Sequence, residues 1–119
     1  LARAIQMFMP GKPQVWYLDL FAGKNDHEAV RRAGESGHKE INRTNLSTDQ
    51  IAEDLKKDVV QKQLALIRMR NTHKAFSEGA EVAISGGESS LQIRWEYNSA
   101  FATLNVNFES GTYTIVESR

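Results

Sequence analysis

The fold is decided by the stretch Leu91-Gln92-Ile93-Arg94-Trp95-Glu96-Tyr97, in which apolar and polar side chains alternate strictly. A period of two is typical of a half-buried β-strand, because successive side chains point to opposite faces of a sheet. Further apolar positions alternate around residues 82–84, 104–108 and 113–115, and Gly- and Asn-containing turns separate these runs. We therefore predict an antiparallel β-domain over residues 77–119, with one face in water.

The residues before this domain favour helices. Apolar positions fall at helical spacing up to Met9, where Pro10-Gly11 ends the run. A second helix is expected from Ser47, whose side chain can cap the amide of Gln50. The Gln50 side chain can in turn reach back to the Ser47 amide. The strongest helical pattern begins at Asp58, and its apolar stripe continues through Met69. Helices followed by a separate sheet predict an α+β chain.

Residues 14–18 differ from both patterns. Gln14-Val15-Trp16-Tyr17-Leu18 is β-branched and aromatic, with apolar side chains on both faces, which indicates a strand buried in a parallel sheet. No second strand of that kind follows, and the first residue is Leu1 and not Met. We therefore expect a fragment of a larger protein, and expect the unpaired strand to favour self-association. Residues 19–45 are expected to form a long functional loop that includes a short helical segment from His27 to Ala33.

Composition excludes several function classes. Fifteen basic residues balance fifteen acidic residues, so no net field favours nucleic acid or an anionic membrane. No segment reaches the roughly 20 apolar residues of a membrane span. Cysteine is absent, which fits a reducing compartment and predicts a cytoplasmic protein.

Familiar catalytic and metal-binding patterns are also missing. The three histidines, His27, His38 and His73, lack the short spacing of zinc ligands. A triad of Ser36, His38 and Asp26 has no support beyond proximity in sequence. We expect no metal and no cofactor.

Two residues are candidates for a binding site. Asp19 directly follows the predicted strand, at the carboxyl end where α/β folds place their chemistry, although a solvated loop carboxylate would look the same. Arg43 lies late in the loop and offers five donors suited to sugar hydroxyls, carboxylates or phosphate, although most arginines simply lie at the surface.

The sheet suggests a different kind of site. Aromatic residues at Trp95, Tyr97, Phe101 and Tyr113 could form a platform on which a sugar stacks, but aromatics at alternating strand positions are more often core. The alternative function is therefore a stand-alone β-sheet module that binds carbohydrate or protein without catalysis.

Several motifs together resemble the sucrose phosphorylases of the α-amylase superfamily. They comprise Met9-Pro10-Gly11-Lys12-Pro13-Gln14-Val15-Trp16-Tyr17, then Leu20-Phe21-Ala22-Gly23-Lys24-Asn25-Asp26, then Ile41-Asn42-Arg43, and finally Val59-Val60 with Leu66-Ile67-Arg68-Met69-Arg70-Asn71. The resemblance runs from about residue 8 to residue 76. It implies that residues 1–76 end a (β/α)₈ barrel, with residues 14–18 as its eighth strand, and that residues 77–119 form a small C-terminal domain.

The resemblance also implies a reaction. A transferase of this family, a glycosyltransferase of carbohydrate metabolism, moves a glucosyl unit from sucrose to phosphate with retention, which needs two nearby carboxyl groups. In the family these groups lie upstream, so no catalytic residue is expected in this chain, and the isolated chain is expected to be inactive. Arg43, with Asn42 beside it, matches the motif whose arginine helps to hold the glucosyl unit. Sugar substrate and inorganic phosphate are the implied partners.

Two departures leave the substrate open. Sucrose phosphorylases typically have glycine at the position of Asp19, and His-Tyr-Tyr at the positions of Thr44-Asn45-Leu46. The stretch Glu40-Ile41-Asn42-Arg43-Thr44-Asn45 is more similar to glucosylglycerate phosphorylases. Sucrose and glucosylglycerate are therefore both candidate donors.

Overall fold

The computed structural model describes every residue from Leu1 to Arg119 and has an α+β fold. Two 3₁₀ segments, Gly34–Asn42 and Lys74–Phe76, lie between the regular elements. The helices are α1 (Ala2–Phe8), α2 (Tyr17–Leu20), α3 (His27–Ala33), α4 (Thr48–Asp54) and α5 (Asp58–Thr72), and the strands are β1 (Glu81–Gly87), β2 (Ser90–Tyr97), β3 (Ala100–Asn107) and β4 (Thr112–Glu117). The predicted segregation of helices from an antiparallel sheet is confirmed.

The sheet is a meander with strand order β1-β2-β3-β4, and every neighbouring pair is antiparallel. Ile93 lies opposite Ile84 on one side and Leu104 on the other, so apolar side chains share one face. The opposite face carries polar pairs such as Gln92 with Asn105, whose side-chain amides are 2.7 Å apart. Because the alternation sets which side chains share a face, the sequence pattern was sufficient to predict this element.

The chain divides into two compact units. One comprises Leu1–Pro13 and Ala65–Arg119, and the other comprises Gln14–Leu64. The boundary near Leu64 falls inside α5, whereas the division expected from the sequence lies between residues 76 and 77. That division refers to domains of a longer protein and stays a prediction.

The unit that contains the sheet has an aromatic core. The ring of Phe76 lies 5.3 Å from that of Phe8 and 5.4 Å from that of Trp95, and the Trp95 indole N–H donates to the Phe8 carbonyl at 2.6 Å. Trp95 is only 7% exposed, so its interpretation as core is confirmed and it offers no surface for a sugar. The Arg70 guanidinium lies over the Trp95 and Phe76 rings, 4.1 and 4.7 Å from their centroids, and burial lowers its pKa.

The unit formed by Gln14–Leu64 is built from short helices with identifiable caps. Ser47 accepts the Gln50 amide at the start of α4, as predicted. Asp26 accepts the Ala29 amide at the start of α3, a cap that was not predicted. The Gln50 side chain does not reach back to the cap as expected. It donates instead to the Asp54 carboxylate at 2.8 Å, because that carboxylate is buried and needs donors.

The predicted strand over residues 14–18 is wrong. Trp16 has an extended backbone, but Tyr17–Leu20 forms one turn of helix. The turn ends in a Schellman motif, in which the Ala22 amide donates to Asp19 and the Gly23 amide donates to Leu18. A helical turn satisfies these groups locally, whereas a strand needs a neighbouring strand that these residues do not have. Self-association through this segment stays a prediction.

The loop expected over residues 19–45 contains α3, at the bounds expected for its short helix, and is more regular than predicted only in the nine-residue 3₁₀ segment. None of the five α-helices has both the length and the apolar character that a membrane span requires.

Candidate substrate-binding site

Arg43 lies directly after the 3₁₀ segment Gly34–Asn42, and its amide donates to the Glu40 carbonyl at 3.2 Å. The side chain is 50% exposed, and its Nη1 lies 3.4 Å from the Glu40 carboxylate. An ion pair of this length at the surface contributes little, so most of the guanidinium donors remain available to a ligand.

A cavity of about 380 Å³ opens beside Arg43. It combines an indole ring, an imidazole, an ammonium group and a guanidinium, and it is lined by Trp16, His38, Lys39, Ile41, Asn42 and Arg43. An aromatic face next to several hydrogen-bond donors suits a hydroxyl-rich or anionic ligand such as a sugar or a phosphate. The residues therefore bring together a stacking surface and donors, but no carboxylate pair.

The backbone around Arg43 is held by residues far away in the sequence. The Trp16 indole N–H donates to the Asn42 carbonyl at 2.7 Å, and the Tyr17 hydroxyl donates to the Thr44 carbonyl at 2.9 Å. In addition, the Asp26 amide donates to the Ile41 carbonyl at 2.7 Å. Three of the four carbonyls from residue 41 to residue 44 thus accept a hydrogen bond from another part of the unit.

Asp19 lies elsewhere. It is an exposed residue of α2, and its carbonyl accepts a hydrogen bond from the Gln63 side chain at 3.3 Å. It does not line the cavity beside Arg43. Of the three predicted site residues, the structure therefore brings Asn42 and Arg43 together at the cavity and leaves Asp19 outside it.

Residues after Arg43 line a second cavity of about 450 Å³. Lys24, Thr44 and Asp54 contribute to its wall, and the Thr44 hydroxyl is buried without a hydrogen-bond partner. Asp54 is 2% exposed and pairs with the Lys57 ammonium at 2.7 Å. The hydrogen bond from Lys57 is the main cause that lowers the pKa of Asp54, and burial opposes it.

The sequence did not reveal Trp16, His38 and Lys39 as residues of the cavity. The composition around Trp16 indicates a strand, and the spacing of His38 indicates an ordinary loop histidine. The useful signal was present, because His38-Lys39 comes only a few residues before Arg43 and a short helical segment brings such residues to one side. The histidines join no group of side chains that could hold a metal ion.

The sequence of this chain is similar to known proteins, although to no family model. It is 51% identical over 115 residues to a sucrose 6(F)-phosphate phosphorylase of Ilumatobacter coccineus, an alignment that covers 97% of this chain and 22% of the relative. The chain is a homologue of part of the sucrose phosphorylases. The resemblance inferred from the motifs is therefore confirmed.

Other relatives agree. A sucrose phosphorylase of Agrobacterium vitis is 42% identical, in an alignment that covers 99% of this chain and 24% of the relative. A glucosylglycerol phosphorylase of Marinobacter adhaerens is 40% identical, and its alignment covers 98% of this chain and 25% of the relative. The crystal structure of a sucrose 6F-phosphate phosphorylase from Thermoanaerobacter thermosaccharolyticum matches with a TM-score of 0.89 at 39% identity, covering 99% of this chain and 23% of that protein. The chain thus spans about a fifth to a quarter of the length of the relatives it matches.

Proposed function

We propose that this chain is the C-terminal part of a retaining glycoside phosphorylase, in which Arg43 helps to hold the glucosyl unit while it moves to phosphate. The observation that carries the proposal is the cavity lined by Trp16, Lys39 and Arg43 in a chain homologous to sucrose phosphorylases. In the parent protein this segment would close an α-amylase-type barrel. The product would be glucose 1-phosphate.

The proposed division of labour follows from the chemistry. Retaining transfer requires a nucleophilic carboxylate and a carboxylic acid placed close together, and the cavity of this chain contains neither. The cavity residues would therefore bind and orient the sugar, while the rest of the parent protein would supply the bond-breaking groups. The guanidinium can donate to two sugar hydroxyls at once, which fixes the orientation of the ring.

The donor substrate is proposed as sucrose or a related glucoside. The relatives carry names that specify sucrose 6F-phosphate, sucrose and glucosylglycerol, and all three compounds contain a glucosyl unit joined to a variable second part. Arg43 would serve the shared glucosyl unit, so it does not decide between them. Glucosylglycerate, the second donor expected from the motif around Arg43, belongs to the same set.

The proposal is tested by replacing Arg43 in the full-length parent protein. Arg43→Ala should lower kcat/KM for release of glucose 1-phosphate by about 100-fold, since hydrogen bonds from a charged group to a bound ligand are worth about 1.5–3 kcal/mol each. Arg43→Lys should recover part of the loss, because it keeps the charge but not the paired donors.

A matched control is available in the same unit. Arg31 is also exposed and also pairs with a glutamate three residues earlier, Glu28, but it lies in α3 and does not line the cavity. Arg31→Ala should leave kcat/KM unchanged. Equal effects of Arg43→Ala and Arg31→Ala would overturn the assignment of Arg43 to the sugar site.

A further inference from the structure

We propose that Trp16 and Tyr17 act as positioning residues for Arg43, through two hydrogen bonds that hold the carbonyls of the residues before and after it. We call these two side chains the aromatic clamp. The inference rests on the proposed function of Arg43 and adds two residues that determine where the guanidinium can reach.

The contacts of the clamp are specific to this position. The Trp16 indole N–H reaches the carbonyl of residue 42, and the Tyr17 hydroxyl reaches the carbonyl of residue 44, so the two bonds bracket Arg43. The partners are 26 and 27 residues apart in sequence. Because the carbonyls of both neighbouring residues are held and the Arg43 amide also donates to Glu40, the backbone at Arg43 has little freedom to shift and the origin of its side chain is restrained.

The side chain of Arg43 itself is held only weakly. Its contact with Glu40 is 3.4 Å long and lies at the surface, which does not immobilise a guanidinium. A long flexible side chain can serve a binding site efficiently only when its origin is fixed, because every freely rotating bond adds to the entropy lost on binding. The clamp supplies that fixed origin.

The clamp is itself anchored. The Trp16 and Tyr17 rings lie 5.0 Å apart and support each other, and the helical turn that begins at Tyr17 is held at Leu18, which is 2% exposed. At the end of the turn, the Gln63 side chain donates to the carbonyls of Asp19 and Leu20. The two donors therefore extend from a packed turn and not from a loose loop.

The test uses the full-length parent protein and variants that remove one donor each. Tyr17→Phe keeps the ring and loses only the hydroxyl, and Trp16→Phe keeps an aromatic ring and loses the indole N–H. Each should lower kcat/KM for glucose 1-phosphate release by about tenfold, because small displacements of a binding group have large effects on reactive geometry. Tyr113→Phe, a half-buried tyrosine of β4 in the other unit, is the matched control and should have no effect.

A double-mutant cycle separates positioning from general stability. In an Arg43→Ala background, Tyr17→Phe should lower kcat/KM by less than about twofold, because the clamp then has no guanidinium to place. If the tenfold loss persists in that background, the clamp does not act through Arg43 and the inference is overturned. If Tyr17→Phe and Trp16→Phe leave kcat/KM unchanged while Arg43→Ala lowers it, the inference is overturned and the proposed function stands.

Amide hydrogen exchange tests the clamp independently of turnover. Exchange in residues 43–45 should become about fivefold faster in Tyr17→Phe, the factor expected for losing one ordinary hydrogen bond, and should not change in Tyr113→Phe. Unchanged exchange at these residues would show that the clamp does not hold the loop. If Arg43→Ala leaves kcat/KM unchanged, the proposed function fails and the positioning role fails with it.

Discussion

Ala22 has a positive φ of 51°, a conformation that glycine adopts without cost and alanine does not. It occupies the left-handed position of the Schellman motif that ends α2, where glycine is the usual residue. At the next residue, Gly23, a Cβ would lie 2.3 Å from Leu18 Cδ1, and Leu18 is buried, so its side chain has little room to move away. The glycine therefore lies at residue 23, where there is no room for a Cβ, while Ala22 has the strained left-handed backbone.

This arrangement predicts that Ala22→Gly stabilises the protein. The variant should raise the free energy of unfolding by about 0.5–1 kcal/mol, because relief of the left-handed strain exceeds the extra freedom glycine has when unfolded. Urea denaturation measures the change. The same replacement in the middle of α4, Ala52→Gly, should destabilise by about 1 kcal/mol. A loss of stability in Ala22→Gly would contradict the strain argument.

At the scale of elements, sequence patterns correctly predicted the helices and strands that are stabilised by interactions between residues close together in the sequence. The Ser47 cap, the helix from Asp58 and the four-stranded sheet follow from capping residues, helical spacing and period-two alternation. The prediction for residues 14–18 is wrong because periodicity alone does not separate a short apolar strand from a helical turn, and the composition favoured the strand. The Schellman motif that ends the helical turn lies beyond these residues.

The end of α4 predicts an acid-sensitive contribution to stability. The pKa of Asp54 is lowered in the folded protein, chiefly by the hydrogen bond with Lys57, from an ordinary value of 3.8. A carboxylate with a lowered folded pKa stabilises the protein above its unfolded pKa, and this contribution is lost as the pH falls through the folded pKa. Asp54→Asn should therefore be less stable at pH 7 and should lose less stability than the unmodified chain between pH 5 and pH 2.

Thermal unfolding at a series of pH values checks this prediction. Glu53→Gln is the control, because Glu53 pairs with Lys56 at the same spacing but both side chains are about 70% exposed. Its stability should follow that of the unmodified chain at every pH. An Asp54→Asn curve parallel to that of the unmodified chain would show that the Asp54 carboxylate makes no pH-dependent contribution.

At the scale of the whole molecule, the candidate site could be predicted only in part. Arg43 and Asn42 were found through a motif, because the motif is local. The clamp could not be found, since its hydrogen bonds join residues 26 and 27 positions apart and depend on how the unit folds. The prediction for Asp19 depends on a strand that would end just before it. The structure has a helical turn there instead, so the position of Asp19 does not support a site role.

The proposed division of labour predicts that the isolated chain is inactive. The 119-residue chain, mixed with sucrose or sucrose 6F-phosphate and inorganic phosphate, should release no glucose 1-phosphate above the background of the uncatalysed reaction. The full-length parent protein is the positive control in the same coupled assay. Release by the isolated chain that disappears in Arg43→Ala would show that these residues suffice for catalysis.

The clamp also bears on how substrate range could change during evolution. Trp16 and Tyr17 bind main-chain oxygens, and every amino acid supplies the same oxygen. The residues that follow Arg43, Thr44-Asn45-Leu46 in this chain, can therefore be exchanged while the arginine keeps its position. Under the proposed function, side chains at residues 44–46 would then vary without moving the group that holds the glucosyl unit. Residues 44–46 are therefore the segment we would randomise to change donor preference.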